Sequence, residues 1–313
     1  MYKRMLVPLD GSELAEVVFT LAKELAVRLD VEVVLLLVAN PSLREFIPMH
    51  QAYIERAAKI IRRQAREVEK RIGIQSRGKT VEIRGELAVG YPAEEILHYA
   101  DENDVDLILM ATHGRSGRKR WVMGSVADKI LKASKVPVLL VRAGILDEVA
   151  YDKWPRITIL VPLDESEFAE MVLPYVEALA KQRGNELVDV VLIRVCEPSV
   201  TPSYYTPELS EVPVDWGQYA QQEAARRKQV ASEYLTRGEK QFRDNKIKVS
   251  SEVLVGRAAD QIVNYANEHP FNIIVMATHG RSGLSRWVYG SVAEYVLTEV
   301  SSPVLLVRPQ QSV

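Results

Sequence analysis

Cysteine is almost missing from this sequence: there is one, Cys196, in 313 residues. A single thiol excludes an intrachain disulfide and a zinc site built on several cysteines. Within its apolar run Cys196 reads as a small buried hydrophobe. Long apolar runs are missing too. The longest, such as residues 33–39, fall far short of the roughly 20 that span a bilayer. The apolar stretch at the N-terminus stops at Asp10, which is too short for a signal-peptide core. Charge of one sign is lacking as well. The 40 Lys and Arg residues stand against 42 Asp and Glu, a net −2. No global electrostatic case for nucleic acid or an anionic membrane follows. The expectation is a cytoplasmic, soluble protein with neither partner.

Catalytic signatures are equally sparse. G-x4-G-K-[ST] is absent, and with it the P-loop lysine; H-E-x-x-H is absent. No Ser-His-Asp spacing stands out, and no carboxylate pair accompanies the glycine loop described below, beyond Asp10 or Asp164, to hold a metal ion. A metal site made by protein residues alone is not expected.

What is present is globular. Hydrophobic residues make up 47% and charged residues 26% of the chain. The length favours two domains, and an internal repeat makes that specific. Residues 106–142 and 272–308 share 23 of 37 aligned positions at an offset of 166. LVPLDGSE at 6–13 matches LVPLDESE at 160–167 at an offset of 154, so copy two carries 12 extra residues between its matched blocks. The reading is two copies of one domain, residues 1–143 and 156–313, joined by a short linker. The extra residues fall after the second strand. There copy one has a short connection at 39–50, and copy two has 196–218 with Pro198, Pro202, Pro207 and Pro213, an extended loop. Tyr204, Tyr205 and Trp216 in it pack over a pocket, a partner or their own domain.

Within copy one, continuous apolar runs at 5–9, 31–38, 81–84, 107–111 and 138–141 predict parallel strands covered on both faces. Helical patterns at 12–29, 51–72, 92–102 and 125–134 separate them, with Pro92 suited to a first turn. In copy two the strands fall at 157–163, 187–195, 249–255, 273–277 and 304–307. The class is α/β: two tandem open five-stranded parallel sheets, Rossmann-like, with right-handed crossovers. The helix at 51–72 carries Arg56, Lys59, Arg62, Arg63 and Arg66, a solvated face or a partner surface.

Ligands of such sheets bind beyond the carboxyl ends of the strands. Two segments of each copy reach that edge with polar residues. One is Pro8 to Asp10, with Pro162 to Asp164. The other follows strand four: Met110, Ala111, His113, Gly114, Arg115 and Gly117, running to Gly124, Ser125 and Val126. Copy two repeats it as Met276, Ala277, His279, Gly280, Arg281, Gly283, Gly290, Ser291 and Val292. Glycines allow close backbone approach, and a helix N-terminus attracts phosphate. Structural readings stand beside these. Ser125-x-x-Asp128 and Ser291-x-x-Glu294 are capping boxes, Asp10 and Asp164 are caps of the first helix, and the glycines build turns. Arg118 and Lys119, which are Leu284 and Ser285 in copy two, predict tighter phosphate binding in copy one.

These residues resemble the universal stress protein family, as a tandem two-domain member. The resemblance covers nearly the whole chain and rests on VPLDGS, THGRSG, RWVMGSVA and PVLLVR. The nucleotide-binding branch of that family carries G-x2-G-x9-G-[ST]. Gly114, Gly124 and Ser125 fit its last three positions, as do Gly280, Gly290 and Ser291, whereas Ala111 and Ala277 replace its first glycine. Alanine adds one methyl group and keeps φ negative, so tolerance is expected. The resemblance implies ATP, with magnesium near Asp10 and Asp164, as the cofactor. Asp10 and Asp164 would sit near adenine and ribose, Val38 and Val195 would line the adenine pocket, and the glycines and serines would hold phosphates. It also implies pairing of the two last strands within one chain, a built-in pseudo-dimer; a further homodimer and protein partners stay open. The loop and motif signatures of sulfurtransferase and synthetase relatives of the fold are absent. Three functions remain: a nucleotide-binding stress regulator with at most slow hydrolysis, a protein-interaction scaffold with structural glycine loops, and a nucleotide-using hydrolase or transferase.

Overall fold

The computed structural model describes residues 2–73, 81–112, 123–142, 156–198, 216–269, 271–278 and 290–308. Copy one runs β1 (Arg4–Leu9), α1 (Glu13–Glu16), α2 (Val18–Leu29), β2 (Glu32–Ala39), α3 (Ile47–Arg71), β3 (Ile83–Val89), α4 (Pro92–Glu102), β4 (Leu107–Ala111), α5 (Ser125–Ala133) and β5 (Val138–Val141). Copy two repeats it as β6 (Ile157–Leu163), α6 (Glu167–Glu170), α7 (Leu173–Arg183), β7 (Val188–Cys196), α8 (Trp216–Asp244), β8 (Lys248–Val255), α9 (Ala258–Glu268), β9 (Ile273–Ala277), α10 (Ser291–Glu299) and β10 (Val304–Val307).

The strands join into one ten-stranded sheet, ordered β3-β2-β1-β4-β5-β10-β9-β6-β7-β8. Every pairing within a copy is parallel. Among the described residues only β5 and β10 run antiparallel, with Leu139 opposite Leu305. Strand residues alternate between faces, so each face buries its own core. One core holds Met5, Val7, Leu35 and Leu109 under α2 and α3, and continues into copy two through Val161 and Leu192 under α7 and α8. The other holds Leu6, Leu36, Ile108 and Leu140 under α4 and α5, continuing through Leu160, Ile274 and Leu306. The α/β class and the two-copy organisation read from the sequence hold.

The seam is symmetric in detail. Arg142 donates to the Thr298 carbonyl at 3.0 Å, and Arg308 donates to the Lys132 carbonyl. These pairs are related by the repeat offset. Each arginine ends a PVLLVR strand and meets the last turn of the opposite copy's helix, where free carbonyls favour a cation. On the other face, Gln182 of α7 accepts from Tyr2 N–H at 2.8 Å and donates to the Tyr2 and Leu29 carbonyls.

Several expectations need correction. The first helix is broken into α1 and α2 at Val17. The connection at 39–50 is helical. Asn40 accepts from Ser42 N–H at 2.9 Å and starts a 3-10 helix, Pro41–Phe46, that runs into α3. Its prolines, Pro41 and Pro48, fall in first turns, where the missing N–H costs nothing. β3 is three residues longer than its apolar core suggested and starts two residues later. It is an edge strand, and half-buried Gly85 and Glu86 break the apolar run without breaking the ladder. Cys196 ends β7 half-buried rather than buried. The arginines and lysine of α3 are exposed, while Ile54, Ala57, Ile61, Ala65 and Val68 face the sheet. The loop at 199–215, with Tyr204 and Tyr205, lies outside the described residues, as does the linker at 143–155.

At Gly85 the backbone of α3 comes so close that an added Cβ would lie 2.6 Å from the Ile54 carbonyl oxygen. Backbone cannot swing aside as a flexible side chain does. Gly85→Ala should therefore destabilise the chain by about 1–3 kcal/mol, read as a lower urea midpoint, whereas an unchanged midpoint would show that α3 shifts freely.

Candidate functional site

The strand order reverses direction between β1 and β4, and between β6 and β9. At such a point the loops leaving two neighbouring strands diverge to opposite faces and open a crevice. In copy one the crevice is a cleft of about 300 Å³. Pro8, Asp10, Val38, Met110, Ala111, Gly124, Ser125 and Val126 line it, eight of the residues that the sequence singled out. His113, Gly114, Arg115 and Gly117 lie outside the described residues, as do Arg118 and Lys119. Copy two places Pro162, Asp164, Val195, Met276, Ala277, Gly290, Ser291 and Val292 at the matching strand ends and helix start. His279, Gly280, Arg281, Gly283, Leu284 and Ser285 lie outside the described residues.

The sequence reading missed five further walls: Ala15 of α1, Pro92 and Ile96 of α4, Thr112 and Ala127. Pro92 was legible only as a helix start. Nothing local said that α4 would lean over the second strand. Thr112 carried a signal, since ATHG occurs in both copies. Its N–H donates to the Val141 carbonyl at 2.9 Å, and its own carbonyl accepts from Gly124 N–H at 2.9 Å. Residues 112 and 124 are thereby tied, which brings the end of β4 to the start of α5. An added Cβ on Gly124 would stand 3.2 Å from that carbonyl.

Two capping expectations are overturned. Gly124, not Ser125, is the N-cap of α5, because its carbonyl accepts the first helical bond, from Asp128 N–H at 2.9 Å. Gly290 does the same for Glu294 at 3.0 Å, with φ at +74°. Ser125 and Ser291 are thus first-turn residues, exposed at the helix mouth. The N–H groups of the first turn of α5 point out of the helix. At the first helix the cap is Ser12, whose hydroxyl accepts from Ala15 N–H at 3.2 Å. Asp10 stands one step back, accepting from Ser12 N–H at 3.0 Å and from its hydroxyl at 2.6 Å. Ser166 and Asp164 repeat this arrangement. The carboxylate therefore shapes the strand-to-helix turn at the cleft mouth instead of capping the helix.

Val38 is placed by strand alternation. The Ala39 carbonyl accepts from Gly90 N–H at 3.0 Å, so residue 39 faces β3. Val38 then faces the β1 side. The last β1 partner is Leu9, opposite Leu37, so the Val38 carbonyl looks past the end of β1 into the cleft. The cleft thus offers apolar walls, a backbone polar edge, a carboxylate and a helix N-terminus, the ingredients of a small-ligand site. Among the described residues, no group of three or more His, Cys, Asp and Glu gathers to hold a metal ion. Nor is any described helix long and apolar enough to cross a membrane.

Comparison with known proteins agrees with the fold. The sequence model of the Universal stress protein family matches residues 1–142 and 156–308. A universal stress protein of Methanocaldococcus jannaschii is 30% identical over 142 residues, covering 45% of this chain and 83% of its own. One from Bacillus subtilis is 30% identical over 148 residues, 45% of this chain and 100% of its own. Among solved structures, a universal stress protein of Archaeoglobus fulgidus superposes over 97% of this chain and 98% of its own, with TM-score 0.59 and 22% identity.

Beside the cleft, Tyr53 of α3 donates its phenol to Glu16 at 2.7 Å. Burial, and then this bond to a carboxylate, push its pKa above the usual 10.0. The native state keeps the proton where the unfolded chain releases it. The contribution is therefore present below pH ~10 and is lost as pH climbs towards the folded value. The denaturation midpoint should fall above pH ~10, and Tyr53→Phe should flatten that fall; an equal slope in both proteins would remove Tyr53 as a cause.

Proposed function

This chain belongs to the universal stress protein family, and from that premise we propose that it binds an adenine nucleotide, ATP with its magnesium ion, as a nucleotide-dependent stress-response regulator with at most slow hydrolysis. The observation that carries the reading is the single cleft in copy one that joins an apolar slot to a helix N-terminus. The slot, between Val38, Ile96 and Met110, suits the faces of a purine. The Val38 carbonyl, at the end of β2, is an acceptor for the amino group that adenine carries at its six position, where guanine carries a carbonyl oxygen.

Phosphates belong at the other end. The N–H groups of Ser125, Val126 and Ala127 are the free donors of the first turn of α5, and the helix dipole adds a partial positive charge. The Ser125 hydroxyl, released from capping, is a further donor. Gly124 lets the start of α5 sit close to the Thr112 carbonyl, which an added Cβ would approach to 3.2 Å. Asp10 lies across the mouth, in reach of a ribose hydroxyl or of the magnesium that the nucleotide brings. His113, Gly114, Arg115 and Gly117 would complete the phosphate cradle. Among the described lining residues no acid and base are paired, which supports a binding role over turnover.

Calorimetry or equilibrium dialysis with ATP and Mg²⁺ tests the reading. Binding is expected, with Gly124→Val weakening it by at least about tenfold, or roughly 1.4 kcal/mol. Absence of binding at millimolar ATP would overturn it in favour of an interaction scaffold with structural glycine loops.

A further inference from the structure

The repeat invites the assumption that the chain holds two equal sites. The structure separates them at the strand ends. In copy one the β2 position beside the Leu9 end of β1 is Leu37, and the residue after Asp10 is Gly11, with φ at +77°. Leu37 is buried in the apolar core and reaches nothing polar. In copy two the matching residues are Arg194 and Glu165. Glu165 keeps the left-handed backbone that glycine adopts in copy one, with φ at +67°, a conformation that is strained for a residue with a side chain. Its carboxylate accepts from Arg194 Nε at 2.9 Å. The same guanidinium, through Nη1, donates to the carbonyl of Val195.

Val195 is the counterpart of Val38. The Cys196 carbonyl accepts from Gly256 N–H at 3.0 Å, as the Ala39 carbonyl does from Gly90. Val195 therefore faces the β6 side, beyond the last paired residue Leu163. The acceptor that copy one leaves pointing into its cleft is already satisfied within the chain in copy two. Arg194 and Glu165 keep only 16% and 28% of their side-chain surface exposed, so the pair is partly desolvated and is displaced only at a cost.

The next residue differs in the same sense. Asn40 turns back on its own 3-10 helix, whereas Glu197 in its place accepts from Ala258 N–H, at 3.4 Å, at the start of α9. That helix matches α4, whose Pro92 and Ile96 wall the copy-one cleft. Copy two thus carries two carboxylates, Glu165 and Glu197, where copy one has Gly11 and Asn40. With Glu165 paired to Arg194, Glu197 is the added net negative charge, and it bears on a ligand whose tail is anionic.

We propose that the copies have divided the work: copy one is the nucleotide site, and copy two is closed by the Arg194–Glu165 pair seated on the Val195 carbonyl, so that one chain binds one nucleotide. The inference rests on the nucleotide-binding reading above.

Titration of the full chain with ATP and Mg²⁺ in a calorimeter, checked by equilibrium dialysis, decides between the outcomes. The native chain should bind one nucleotide. Gly124→Val, which touches only copy one, should leave no binding in the same concentration range. Arg194→Leu with Glu165→Gly, which writes the copy-one residues into copy two, should raise the stoichiometry to two. Two nucleotides on the native chain, or one bound by Gly124→Val with unchanged affinity, would overturn the division while leaving nucleotide binding intact. A folded double variant that still binds one would remove Arg194 and Glu165 as the closure. No binding by the native chain would overturn the nucleotide reading and this inference with it. Should the double variant not fold, the native chain and Gly124→Val still decide.

Discussion

The antiparallel pairing of β5 with β10 is the contact on which the rest of the molecule depends. Each strand would otherwise be the open edge of a five-stranded sheet. The four residues of each strand, Val138–Val141 and Val304–Val307, are 2% exposed or less. Such short apolar edges invite pairing with any other chain. Here each is the partner of the other, so the chain satisfies its own sticky edges. Two half-sheets become one, and both cores run across the seam. The reciprocal bonds of Arg142 and Arg308 then fix how the helices flanking the seam sit.

The seam also supports the cleft. Thr112 is held by the Val141 carbonyl at the end of β5, and Thr278 by the Val307 carbonyl at 3.0 Å. The residue from which each glycine loop departs is therefore anchored to the seam strand. The end of β4, the cap of α5 and the β5–β10 junction form one hydrogen-bonded unit.

Much of this was legible in the sequence. The parallel strands announced themselves as unbroken apolar runs, because a strand covered on both faces has no polar position to alternate with. The switch-point rule then placed Pro8, Asp10, Met110 and the glycine loop at one edge, and the family resemblance added Val38. What misled was local. The connection at 39–50 hid a 3-10 helix, Pro41–Phe46, and the first turn of α3, because proline's meaning depends on whether it falls in a first turn. Ser125 matched a capping box by spacing, but Gly124 captured the cap because its carbonyl takes the first helical bond. β3 was read too short because an edge strand tolerates Gly85 and Glu86.

The sequence by itself determined the class, the duplication and the roster of residues at the strand ends, because these follow from periodicity and from repetition within one chain. It also made the two copies look alike, since the motif positions match almost residue for residue. Arg118 and Lys119 against Leu284 and Ser285 set them apart in the loop, but only the tertiary structure placed a second difference at the strand ends. Arg194 and Glu165 lie 29 positions apart; Glu165 stands in LVPLDESE where copy one has Gly11, but nothing local ties it to Arg194. Their meeting over the Val195 carbonyl depends on the register of β6 against β7 and on a left-handed turn, neither of which is written in local composition. Spacing along a chain says which residues reach an edge; the packing of strands says which of their polar groups remain free there.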